Sequence, residues 1–88
     1  MNVPFDWWMR DALRQASEKK TIRRDRRTKR GVESLVKLGL LVVVKRTDFN
    51  TIYAITDQGR QVVPKLPTAD EEWEALGTDK YRNFEVQL

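Results

Sequence analysis

Leu35-Val36-Lys37-Leu38-Gly39-Leu40-Leu41-Val42-Val43-Val44-Lys45 holds a helix end, a reversal and the start of a strand. Gly39 stands where a helix C′ residue belongs, and Leu40 follows as the apolar residue that packs back on Leu35. Upstream, Val32, Leu35 and Val36 make a short helical stripe, so the helix runs from about Thr28 to Leu38. Arg27, Arg30, Ser34 and Lys37 take its polar face. Gly31 weakens this helix by up to ~1 kcal/mol relative to Ala, and suits a close approach of another backbone. Downstream, Leu41 to Lys45 is β-branched and apolar, a strand. Thr51 to Thr56 is a second strand, and Arg46-Thr47-Asp48-Phe49-Asn50 is the hairpin tip between them. Asp48 and Asn50 suit turn conformations. Thr56 then caps a short helix, Asp57 to Val63, which Pro64 ends.

On the N-terminal side, Phe5, Trp8, Met9, Ala12, Leu13 and Ala16 fall at helical spacing and predict an amphipathic helix. Pro4 is tolerated in its first turn. Arg10, Asp11, Arg14 and Gln15 cover its wet face. Trp7 lies off the stripe, either as a partner contact or covered by the C-terminal segment. Ser17 to Arg27 has one apolar residue, Ile22, and reads as an extended link or a short, poorly anchored helix. On the C-terminal side, Pro64 to Pro67 is a stiff link. Thr68 and Glu71 fit a capping box for a short helix through Leu76, stopped by Gly77. Its acids crowd the first turn, where the helix dipole favours them. Phe84, Val86 and Leu88 alternate with Glu85 and Gln87, a strand signal.

With 88 residues, 40% hydrophobic and 34% charged, the chain suits one small globular domain. Cys and His are both absent. That removes disulfides, structural zinc, haem and Cys- or Ser-His-type catalysis. No cofactor or metal is expected. No nucleophile–base pair, Gly-rich phosphate loop or paired carboxylates stand out, so an enzyme is not expected. Met1 to Arg10 lacks the basic start and apolar run of a signal peptide, so none is expected, and the apolar run Leu40 to Val44 is too short to span a bilayer. The expectation is a soluble, cytoplasmic protein.

Charge is uneven. Residues 1–60 carry 14 basic and 7 acidic side chains, whereas residues 61–88 carry 3 and 6. The window Lys19 to Arg30 alone holds eight basic residues against one acid, Asp25. Such density must be solvated or neutralised, and polyanions are its natural partner, since each phosphate contact releases a counterion. The run lacks the interleaved apolar face that a membrane surface requires.

Helix, basic link, basic-faced helix, hairpin and short helix together resemble a winged helix-turn-helix domain, an α+β fold. Leu35-Val36-Lys37-Leu38-Gly39-Leu40-Leu41 is similar to the Leu-x-x-x-Gly-Leu end of the recognition helix. Tyr53-Ala54-Ile55-Thr56-Asp57-Gln58-Gly59-Arg60 is similar to the Tyr-x-Leu-Thr-x-x-Gly-Arg run that closes the wing. Both occur in MarR-, PadR- and ArsR-like regulators and in small phage proteins. The resemblance implies a winged-helix domain over 1–63 and a helix/strand extension over 64–88. It implies that Arg27, Thr28, Arg30, Ser34 and Lys37 face bases or flanking phosphates in the major groove. Lys45 and Arg46 become wing contacts. Arg23, Arg24, Arg26 and Lys29 hold the phosphate backbone. Arg27 or Arg30 makes any guanine contact. In one respect the chain departs from the pattern: where the family has a helix just before its recognition helix, this chain has charge plus Ile22.

The expected function is therefore double-stranded DNA binding, as a small transcriptional regulator. The alternative is a phage-type protein-interaction module using Trp7, Trp73 and a terminal strand that adds to a partner's sheet edge. Against it, Trp73, Leu76 and Phe84 are expected to pack on the domain. A homodimer through residues 68–88 is a further expectation. The acids Asp70, Glu71, Glu72 and Glu74 are read as capping residues rather than as a cover for the basic window.

Overall fold

The computed structural model describes all of residues 1–88. Its elements are β1 (Asn2–Pro4), α1 (Trp7–Lys19), β2 (Thr21–Arg23), α2 (Lys29–Lys37), β3 (Leu41–Arg46), β4 (Thr51–Ile55), α3 (Asp57–Val62), α4 (Ala69–Glu74) and β5 (Glu85–Gln87). A 3₁₀ turn, Val63–Lys65, contains Pro64 and links α3 to the rest. The strands form two antiparallel sheets, one of order β2-β4-β3 and one pairing β1 with β5. The chain is thus a compact α+β fold, with four helices and two small sheets.

The local signals near Gly39 hold atom by atom. Gly39 takes φ +76°. Its N–H donates to Val36 O at 3.0 Å, and Leu40 N–H donates to Leu35 O at 2.9 Å. These are the two bonds of a Schellman motif. Thr56 and Thr68 cap α3 and α4 as read from the sequence, and the Thr68–Glu71 capping box is complete. Leu40 and Leu35 both belong to a single core that also holds Phe5, Leu13, Ile22 and Val86. Residues from both ends therefore share one interior, and Leu66 and Val86 bind residues 64–88 into it.

Several expectations are corrected. Pro4 sits in β1 rather than in the first turn of a helix, because Asn2–Pro4 pairs with Glu85–Gln87. α1 starts at Trp7, with Asp6 capping Met9 N–H. Trp8 leaves the apolar stripe and stays partly exposed, its ring edge-on to Trp7 at 4.8 Å. Gly31 lies against the Trp8 backbone: a Cβ there would sit 2.3 Å from Trp8 O, so α1 and α2 approach closely at this point. Ser17 to Arg27 is neither link nor loose helix. α1 continues through Lys19, Lys20 turns at φ +70°, and Thr21–Arg23 becomes the third strand beside β4 with Ile22 buried.

Arg10 and Arg14 do not cover a wet face. Arg10 is only 5% exposed and Glu72 only 7%. Arg10 donates to Glu72 Oε1 through Nε at 3.0 Å and through Nη2 at 2.6 Å, and to Phe5 O at 2.7 Å. Arg14 pairs with the other carboxylate oxygen of Glu72. Glu72 is thus the buried ion-pair partner that ties α4 to α1, not merely a first-turn acid. Trp73 and Leu76 do not pack on the domain: Trp73 is 75% exposed and Leu76 is exposed too. Phe84 does pack against the core. No helix is long and apolar enough to cross a membrane.

Candidate nucleic-acid interface

α2 buries Gly31, Val32 and Leu35 and turns its charged side outward. Arg26, Lys29, Arg30, Glu33, Ser34 and Lys37 line a shallow depression on that side, with no apolar residue among them. A second depression lies between the β2–α2 turn and the hairpin tip. It is bordered by Arg24, Asp25, Arg26 and Lys29 on one side and by Thr47 to Thr51 on the other. Arg26 and Lys29 border both, so the two depressions are contiguous; their cations come from the β2–α2 turn and α2, and the hairpin tip adds none.

The turn that carries these side chains is tightly built, and no separate helix stands between β2 and α2. Arg24 N–H donates to Thr51 O at 2.9 Å and anchors the turn to the hairpin. Asp25 Oδ1 accepts from Arg27 N–H at 2.9 Å and from Thr28 N–H at 3.0 Å. Thr28 Oγ1 donates to Arg23 O at 2.7 Å and accepts from Asp25 N–H at 2.9 Å. The Asp25 carboxyl is held below its ordinary value. The Thr28 N–H bond is the main cause; partial desolvation opposes it, and the Arg27 N–H, the Thr28 hydroxyl and the Arg23 charge add to it.

Thr28 is therefore corrected. It is 8% exposed and both roles of its hydroxyl are taken within the turn, so it faces neither base nor phosphate. Arg24, Arg26, Lys29, Arg30, Ser34 and Lys37 are brought together along the two depressions. Arg27 is exposed but borders neither depression. Arg23 is exposed on β2 opposite Ile52. Lys45 and Arg46 are exposed on β3, where Arg46 lies opposite Thr51 at the base of the tip.

The charges differ in availability. Arg24 pairs with Glu33 at 2.7 Å, which offsets the one acid on the α2 face. Arg30 comes within 3.9 Å of Asp6, a loose exposed contact. Arg23, Arg26, Arg27, Lys29, Lys37, Lys45 and Arg46 make no ion pair at all.

One residue was not singled out from the sequence. Phe49, at the hairpin tip, is 92% exposed. Its signal was available: a large aromatic inside the polar turn Thr47-Asp48-Phe49-Asn50, where no core reaches.

Compared with protein families, curated proteins and solved structures, the chain matches none.

Proposed function

We propose that this protein binds double-stranded DNA and acts as a small transcriptional regulator of winged-helix type. In this reading α2 is the groove-facing helix and the β3–β4 hairpin is the wing. The observation that carries it is the contiguous surface of the α2 face and the β2–α2 turn, rich in cations that have no partner inside the protein. Unpaired cations in a row gain most from a polyanion, because neutralising phosphates releases condensed counterions. The sheet order β2-β4-β3 supports the reading further, since it sets the hairpin beside the turn that opens α2.

Arg26 and Lys29 border both depressions and are assigned to phosphates. Arg30, Ser34 and Lys37 are assigned to the groove, with Arg30 the best placed for paired acceptors on guanine. Fluorescence anisotropy against random-sequence duplex DNA, at low and near-physiological salt, tests the proposal. Contact with five or six phosphates predicts a log–log salt slope of about −5. The double reversal R26E/K29E is expected to weaken binding at least tenfold while leaving the melting temperature nearly unchanged. Absence of wild-type binding at low salt refutes the proposal. In that case the exposed Trp73 and Leu76 favour the second reading, a protein-interaction module, to be checked by capture of a stoichiometric protein partner.

A further inference from the structure

We propose that Phe49 is a wedge: the hairpin tip inserts its ring between two base pairs from the minor groove and kinks the duplex. The inference rests on the DNA-binding reading above and adds a mode of recognition to it.

The placement of the ring carries the argument. Phe49 is 92% exposed, so its apolar surface is almost entirely unused by the fold. A lone exposed apolar residue is ordinary. This one is set apart by its mounting and its surroundings. The tip is braced: Thr47 N–H donates to Asn50 O at 2.8 Å, and Thr47 Oγ1 accepts from Asn50 N–H at 3.0 Å. A ring on a braced turn cannot fold back easily, and insertion needs that stiffness. The ring borders the same depression as Arg24, Arg26 and Lys29. A phosphate strand held by Arg26 and Lys29 therefore runs beside the ring rather than away from it.

The two acids in this depression sharpen the assignment. Asp25 already accepts two backbone hydrogen bonds within its turn. Asp48 is exposed beside Phe49 and makes no ion pair. A carboxylate at the tip repels phosphate, so the tip is not a phosphate clamp. The apolar ring is what it has to offer. Apolar side chains inserted from the minor groove partly unstack a base step and bend the duplex toward the major groove. Flexible pyrimidine–purine steps such as TpA yield most easily.

The test uses the whole protein and a mixed-sequence duplex with one central TpA step. The duplex carries a donor–acceptor dye pair at its ends and 2-aminopurine at the step. Wild type is expected to raise both energy transfer and 2-aminopurine emission at saturation. F49A is expected to lose both signals and about tenfold in affinity, with an unchanged salt slope and melting temperature. F49W is expected to restore the signals. If F49A bends and unstacks the duplex as wild type does, the wedge is refuted while DNA binding stands. A Phe49 effect confined to single-stranded DNA also refutes the wedge and makes the ring a stacking platform for unpaired bases. If wild type shows no salt-dependent binding, the underlying reading fails and the wedge falls with it.

Discussion

Replacing Glu72 with Gln removes one negative charge from the joint between α1 and α4 and keeps the side chain's shape. In the native protein that charge faces two guanidinium groups in a site almost closed to water, with side-chain exposures of 6% for Arg10, 12% for Arg14 and 7% for Glu72. Arg10 keeps its bond to Phe5 O, so it is not left bare. Removing one partner of a buried pair nevertheless costs about 3–5 kcal/mol, because the remaining charge stays desolvated. The retained carbonyl bond offsets part of the loss for Arg10, whereas the new amide NH2 must face one of the two guanidinium groups donor to donor, so the cost of E72Q is about 3 kcal/mol or more. A chain of this size has a total stability of roughly 4–13 kcal/mol. The substitution therefore removes a large fraction of it. At about 4–8 °C per kcal/mol for a domain of this length, the melting temperature is expected to fall by roughly 12–24 °C or more. Thermal melts followed by circular dichroism read the shift directly. E71Q serves as the control, since Glu71 only completes an exposed capping box and its loss is expected to move the melt far less. A fall of less than 4 °C for E72Q refutes the reasoning and makes the α1–α4 ion pairs incidental. A double-mutant cycle with R10A then apportions the effect, and a coupling near zero also refutes it. DNA affinity, measured where both proteins are folded, is expected to be unchanged, since neither depression on the basic surface includes Arg10 or Glu72.

Four further substitutions probe other parts of the fold. G31A drives a methyl group to 2.3 Å from Trp8 O, forces α1 and α2 apart, and is expected to cost about 1–3 kcal/mol by overpacking, with a urea midpoint well below that of wild type. G77A meets nothing within 4 Å and pays only for its φ of +82°, about 1–2 kcal/mol, so a larger loss at Gly77 than at Gly31 contradicts the packing account. The folded-state pKa of Asp25 is lowered, so its ionised form stabilises the fold. That contribution is present above the ordinary aspartate range and fades as pH falls through the lowered folded value. D25N is expected to flatten the acid limb of the stability–pH curve, and an unchanged limb speaks against the turn as drawn. K20G relieves a non-glycine residue at φ +70° and is expected to stabilise the protein modestly, by up to about 1 kcal/mol; a destabilised K20G removes the claim of strain.

Deleting residues 65–88 is not a clean probe of acidic competition with DNA. The deletion removes Leu66 and Val86 from the core, β5 from its pairing with β1, and Glu72 from Arg10. Charge changes at Asp70 or Glu74, both exposed, probe that question without dismantling the fold.

What was legible from residues alone was whatever is settled within one or two turns of chain. The Gly39 reversal, the Thr56 and Thr68 caps and the two hairpin strands each depend on groups a few positions apart, so the necessary atoms are neighbours before any folding occurs. The clustering of basic charge in Lys19 to Arg30 was equally plain, because composition alone displays it. The third strand escaped, since Thr21-Ile22-Arg23 is too short to show a period and forms only because β4 offers it an edge. Arg10 escaped because an arginine between apolar positions looks like a wet face until its partner arrives, and Glu72 lies 62 residues away. Thr28 was misplaced because the winged-helix resemblance put it on the groove-facing side of the helix, whereas the folded turn uses its hydroxyl on Arg23 O. Local pattern thus determined the helices and the hairpin, whereas tertiary contact decided the strands β1 and β2, which charges are buried against one another and which remain free. Burial is a property of surfaces brought together from distant parts of the chain, and no window of sequence contains both.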